Sequence, residues 1–135
     1  MISKFVARLQ WPGYTASFLL ACGGVESAPV VRAANRIGCQ HQNGWVPDGG
    51  KGAHTDVCVL CRAPLAIIWF GESEPSCDII AHEAFHAVRC VLPRVGIPLT
   101  DATEEVYAYA IGSIVALIRQ TIDVASGRRP GRRAS

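Results

Sequence analysis

Residues 79–88 read Ile-Ile-Ala-His-Glu-Ala-Phe-His-Ala-Val, and within them His82, Glu83 and His86 form an HExxH pattern. On an α-helix, side chains four apart stand one above the other on the same face, so the two imidazoles can reach one metal ion. Glu83, beside the first histidine, comes near enough to that ion to hold and deprotonate a bound water without being a ligand. Every other residue from Ile79 to Val88 is uncharged. A stripe of two histidines and a glutamate on an otherwise apolar helix is costly to bury without a metal or hydrogen-bond partners. The plainer alternative is an amphipathic helix whose polar face holds these three residues. Ser76 or Asp78 can cap the helix, which is expected to run to about Leu92, where Pro93 stops it.

The chain has 135 residues, enough for one compact domain or a small core with a metal-stapled appendage. Half the residues are hydrophobic and 18% are charged, which excludes a disordered chain. A net charge of +2 implies no strong general attraction to nucleic acid. Much of that excess lies in Arg128, Arg129, Arg132 and Arg133, so residues 128–135 read as a disordered basic tail. No run approaches the roughly 18 apolar residues of a membrane span, and no membrane partner is expected. Lys4 and Arg8 precede Leu19-Leu20-Ala21-Cys22, which is similar to a bacterial lipoprotein cleavage box. Gln10, Pro12, Gly13, Tyr14 and Thr15 interrupt the apolar segment such a signal needs, so export is not expected and a hairpin is.

Phe5 to Trp11 alternates as a strand with Phe5, Ala7, Leu9 and Trp11 on one face, and Tyr14 to Ala21 is a second strand after a Pro12-Gly13 turn. Residues 28–37 fit either a strand or a short helix. Gly38 to Gly52 is a loop. Leu65 to Phe70, apolar and rich in β-formers, is the clearest strand. A second helix is expected from Thr100 or Asp101 to about Ala125, with Gly127 as its stop.

Six cysteines occur, Cys22, Cys39, Cys58, Cys61, Cys77 and Cys90. Cys39-x-His41 and Cys58-x-x-Cys61 have the spacing of a closed four-ligand structural zinc site, with His54 as a substitute for His41. Such a staple would support a domain too small to rely on its core alone. The compartment reads as reducing. Cys90 is expected in the core, and Cys77 has no assignable role.

A catalytic zinc needs three protein ligands and an open position. HExxHxxGxxH is ruled out, because Arg89 and Leu92 stand where Gly and His would be needed. A glutamate on the following helix is the other solution. Asp101-Ala-Thr-Glu104 fits a capping box that would engage Glu104. Glu105 shares a face with Ala108, Gly112 and Ala116, small residues that would let two helices approach closely. Glu105 is therefore the expected third ligand, with Glu104 and then Asp101 as alternatives.

Strand, HExxH helix, linker and glutamate-bearing helix resemble the minimal zincin core of thermolysin-like metallopeptidases, here His82, Glu83, His86, Glu105 and Ala108. The stretch from Ile67 to Leu117 also resembles small HExxH proteins encoded by tailed bacteriophages and prophages. Trp69, His82 to Val88, Gly96-Ile97-Pro98 and Glu105-Val-Tyr-Ala108-Tyr109 carry that resemblance. Four segments are expected: strands in 1–37, a Cys/His zinc loop in 38–62, a zincin-like core in 63–127 and the tail. The expected fold class is α+β, a short antiparallel or mixed sheet with two long helices.

The resemblance implies a zinc metallopeptidase with one catalytic and one structural Zn2+, a peptide or protein substrate, and Glu83 as the general base. It implies the cytoplasm of a bacterial host, or a virion, with other phage proteins as further partners. Tyr107 and Tyr109 are candidates to stabilise the transition state, as are His54 and Arg89, and Leu65 to Phe70 could pair with an extended substrate. A non-catalytic zinc protein of a virion or its assembly is the alternative. A zinc-ribbon nucleic-acid binder is a weaker one, since residues 39–61 carry Lys51 as their one Lys or Arg.

Overall fold

A computed structural model describes residues 2–11, 16–39, 52–58, 61 and 63–129. Within these, four strands, β1 (Phe5–Leu9), β2 (Ser17–Cys22), β3 (His54–Cys58) and β4 (Leu65–Trp69), form one mixed sheet in the order β1-β2-β4-β3. Three α-helices complete an α+β fold: α1 (Ser27–Arg36), α2 (Cys77–Val91) and α3 (Glu104–Ala125). A 3-10 turn over Leu92–Val95 follows α2 and ends at Gly96, whose φ is +87°.

β1 and β2 form the expected antiparallel hairpin, with Phe5 opposite Cys22 and Leu9 opposite Phe18. β2 then runs parallel to β4, Ser17 beside Leu65 and Ala21 beside Trp69. Parallel neighbours need a crossover, and the crossover here contains α1 and β3. The segments read separately from the sequence thus contribute to one sheet. β3 pairs antiparallel with the other side of β4, His54 opposite Trp69 and Cys58 opposite Leu65.

Because side chains alternate along a strand, the sheet separates two apolar layers. Leu9, Phe18, Leu20, Ala66, Ile68 and Phe70 face α2 and α3, where they meet Ile80, Ala84, Val88, Tyr107, Ile114 and Ile118. Leu19, Ala21, Cys58, Leu65, Ile67 and Trp69 face α1, where they meet Val30, Ala34 and Cys39. The expected inward face of β1 is found, with Phe5, Leu9 and Trp11 all on the α2–α3 side. The helix in residues 28–37 follows from the same layering, since its Val30 and Ala34, four apart, cover the second face of the sheet.

Several expectations are corrected. β4 is not available to an added strand, because β2 and β3 occupy both its edges. The Asp101–Glu104 capping box does not form: α3 starts at Glu104 after the N-cap Thr103, whose hydroxyl donates to the Pro98 carbonyl at 2.5 Å. Cys90 is exposed rather than in the core. Arg128, expected in the basic tail, is exposed but not free: it pairs with Glu74 and, at 3.0 Å, with Asp123. Residues 130–135 lie outside the described residues. Finally, α3 is by length and composition apolar enough to cross a membrane, with a mean hydropathy of 1.3 over its best window. Tyr107, Ala110, Ile114, Ile118 and Ile122 nevertheless pack one face of it into the core.

Glu74 also pairs with Arg119 at 3.0 Å, so this one carboxylate ties the loop before α2 to the end of α3. Hydrogen bonding from Arg128 holds the Glu74 carboxyl below its usual range, helped by the Arg128 and Arg119 charges. A depressed carboxylate contributes stability that is present above its unfolded pKa and lost as pH falls through the folded value. Glu74→Gln should therefore flatten the acid limb of the stability–pH profile in urea titrations, with an effect of at most about 1 kcal/mol for so exposed a cluster. Ile118→Ala, which empties a fully buried site, should cost about 2–5 kcal/mol at any pH in the same titrations.

Candidate metal centres

α2 lies against β4 and β3 with Ile80, Ala84, Ala87, Val88 and Val91 buried beneath it. At about 100° per residue, this leaves His82 and His86 on its outer face, and both are exposed. Glu83 lies between that face and the core and is buried, the one buried charged side chain among the described residues. The reason is Thr55, on the face of β3 turned to α2. Its hydroxyl donates to Glu83 Oε2 at 2.7 Å, with the Glu83 carbonyl as a second acceptor at 3.2 Å. The sequence reading missed Thr55; nothing local in His-Thr-Asp-Val-Cys marks it, because its role depends on which strand lies beside α2.

His82 Nε2 and His86 Nε2 are 3.1 Å apart, and His82 Nε2 is 3.9 Å from Glu83 Oε1. Two imidazoles bound tetrahedrally to zinc would hold their nitrogens about 3.3–3.4 Å apart. The pair is thus within a few tenths of an ångström of chelating geometry. Glu83 has one oxygen engaged by Thr55 and the other on the side of His82.

The expected third ligand is not brought to that pair. Glu105 is exposed, in an open groove with Ala108, Tyr109, Gly112 and Ala116 on the side of α3 away from the core. The small residues do not seat another helix: space around Gly112 is open, with nothing within 4 Å of where a Cβ would stand. Arg119 reaches Cys77 Sγ at 3.8 Å and Tyr107 bonds the Ile97 carbonyl, so the end of α3 lies by the start of α2 and its first turns lie by the linker after α2. Among the described residues Glu105 forms no three-ligand group with His82 and His86. Glu104 and Asp101 are exposed as well. Tyr107 is buried and donates its hydroxyl to the Ile97 carbonyl at 2.7 Å, so it fastens the linker instead of facing the histidines. Burial pushes its phenol up, with Arg89 opposing. Tyr109 is 76% exposed.

The second centre lies across the sheet. Cys39, just past α1, Cys58, at the end of β3, and Cys61 bring their sulfurs within 4.8 Å of one another and could hold a metal ion; among the described residues this is the one such three-ligand group. Cys39 and Cys58 are buried and Cys61 is half-buried. Cys39 and Cys61 are joined as a disulfide, and Cys58 Sγ lies 2.7 Å from Cys61 Sγ. Three thiolates on zinc at about 2.3 Å would stand about 3.8 Å apart, so the cluster would admit an ion once the Cys39–Cys61 bond is reduced and the sulfurs separate. His41 lies outside the described residues. His54 is no substitute for it: it stands four residues, about 13 Å, along β3 from Cys58. There it stacks on Trp69 and sits 3.4 Å from Asp56 Oδ2, which also accepts from Trp69 Nε1 at 3.0 Å. His54 follows the α1 side of β3, so it does not face the HExxH pair either. Cys22 belongs to neither centre; burial pushes its thiol up to about 12.

Because the sheet separates the two centres, they should load independently. His82→Ala should remove whatever zinc the histidine pair holds and leave the cysteine-bound share intact, and Cys58→Ser should do the reverse, as read by elemental analysis. Loss of both in either variant would show that the sites are coupled. No protein-family model, no curated protein and no solved structure is significantly similar to this chain.

Proposed function

We propose that the chain is a zinc-dependent peptidase of HExxH type, in which His82 and His86 hold the ion and Glu83 is the general base. The observation that carries this reading is the preformed trio on α2, two Nε2 atoms 3.1 Å apart with Glu83 Oε1 3.9 Å from one of them. Bound zinc would lower the pKa of its water towards neutrality and polarise a substrate carbonyl. Glu83 would serve as the general base towards such a water and as the acid towards the leaving amine. Thr55 is a positioning residue: by occupying Oε2 it leaves Oε1 as the basic oxygen on the side of His82. Among the described residues β3 is an edge strand beside Glu83, and such an edge could offer an extended peptide backbone a partner. The resemblance to small phage-encoded proteins suggests a bacterial host or a virion as the setting.

Glu105 is the carboxylate the resemblance names as third ligand. To serve, Glu105 would have to turn with the start of α3 from its exposed groove towards the histidines. Its present exposure favours a second reading, a non-catalytic zinc protein in which the cysteine cluster is a structural site. Nucleic-acid binding gains no support, since Arg128 of the basic tail is already paired with Glu74 and Asp123.

Hydrolysis of a fluorogenic peptide library separates the readings. The peptidase reading predicts zinc-dependent cleavage that Glu83→Gln abolishes with zinc content unchanged; no cleavage by the wild type sinks it. Thr55→Val should lower kcat about 10- to 100-fold at unchanged KM and zinc content, the equivalent of one buried hydrogen bond to a charged group. Thr55→Ser should restore most of it. Glu105→Ala should reduce zinc content only if α3 moves in as described.

A further inference from the structure

Two states are written into one set of sulfurs on the α1 side of the sheet. Cys39, Cys58 and Cys61 stand close enough to share a metal ion. Cys39 and Cys61 also stand with their Cα atoms 5.5 Å apart, a separation a disulfide spans without backbone movement. These states exclude each other, because a sulfur in a disulfide is no longer a thiolate ligand. The surroundings disfavour a third state, in which the thiolates stand alone. Cys39 follows the C-terminus of α1, and its N–H donates to the Ala34 carbonyl at 3.0 Å. The negative end of the helix dipole opposes uncompensated thiolates there and favours a cation. Either a bound cation or oxidation of two sulfurs removes the excess negative charge.

Access is asymmetric. Cys58 is 1% exposed, whereas Cys61 is half-buried and, with Cys39, lines a pocket of about 400 Å³ whose wall includes Ser17, Ile37 and Leu65. A small molecule entering that pocket meets Cys61 and Cys39 first.

We propose that this cluster is a thiol–disulfide exchange site, entered by a low-molecular-weight disulfide through the pocket, at which oxidation to the Cys39–Cys61 bond releases a thiolate-bound zinc ion. In the first step the Cys61 thiolate attacks one sulfur of the incoming disulfide, forming a mixed disulfide and expelling one small thiolate. In the second, the Cys39 thiolate attacks Cys61 Sγ, forming the protein disulfide and expelling the other. Two protein thiolates are oxidised and one small disulfide is reduced to two thiolates. Of the three sulfurs, Cys58 alone then remains as a ligand, and the ion loses two of its thiolates at once. Excess small thiol reverses both steps and restores the site. The proposal rests on the metal reading of the cysteines and not on peptidase activity, so the two stand or fall separately.

The full chain carrying His82→Ala, Cys77→Ser and Cys90→Ser serves as the test background. It removes the other metal centre and the two exposed cysteines outside the cluster. After loading with zinc and removal of reductant, it is titrated with oxidised glutathione while zinc is read with a chromogenic chelator and bonds are mapped by peptide mass spectrometry. One equivalent of zinc should leave in step with the Cys39–Cys61 peptide, and dithiothreitol with zinc should reverse both. Cys61→Ser should bind no glutathione at the cluster and form no such bond, whereas Cys58→Ser should still form it while holding zinc at least 10-fold more weakly. Zinc retained through the titration, or release without the Cys39–Cys61 bond, would each overturn the proposal.

Discussion

The parallel pairing of β2 with β4 is the constraint on which the rest of the molecule depends. Both strands are buried on both faces, Leu19, Ala21, Ile67 and Trp69 to one side and Phe18, Leu20, Ala66 and Ile68 to the other. Two apolar faces require two covering layers, α1 on one side and α2 with α3 on the other. The parallel sense also forces the chain to cross over between β2 and β4, and that crossover carries α1, Cys39 and β3. The close turn at the end of β2 belongs to the same arrangement. Gly23, at φ +78°, lies where an added Cβ would come within 2.5 Å of the Ser3 carbonyl, so the N-terminal strand can cross there only over a glycine.

β3 connects the two chemistries. Its alternation sends Thr55 to Glu83 on one face and Cys58 to Cys39 and Cys61 on the other, three residues apart on a five-residue strand. The buried Glu83 carboxylate would be expensive without Thr55. Cys58 would be an ordinary core thiol without Cys39 and Cys61 beside it. Neither site belongs to a single element. Each is a place where an edge strand meets a helix that the sheet has positioned for other reasons.

Much of this was legible in the chain. Period-two alternation from Phe5, the apolar run at Leu65, the Pro93 and Gly127 boundaries and the four-residue spacing of His82 and His86 are local signals, and the structure follows them. β3 was not legible, because His-Thr-Asp-Val-Cys is polar on an edge and becomes a strand by pairing with β4. The 28–37 segment was ambiguous because its valines suit a strand and its alanines a helix; the uncovered sheet face decided for the helix. The Ala108–Gly112–Ala116 stripe suggested close helix packing, yet the larger stripe through Tyr107, Ile114 and Ile118 took the core, as greater apolar area does. Glu104 looked engaged in a cap that Thr103 pre-empted.

What the sequence alone determined is therefore chemistry with short reach: two imidazoles on one helical face with a carboxylate beside the first, and a CxxC pair. Helical and turn geometry are set within a few residues, so spacing suffices to read them. Tertiary structure decided which distant groups meet these. It gave Glu83 its Thr55, joined Cys39 to Cys58 and Cys61, and placed Glu105 in an exposed groove of α3. Those meetings depend on strand order, crossover and helix alignment, which are fixed by burying two sheet faces at once and leave no mark in any local window of the chain.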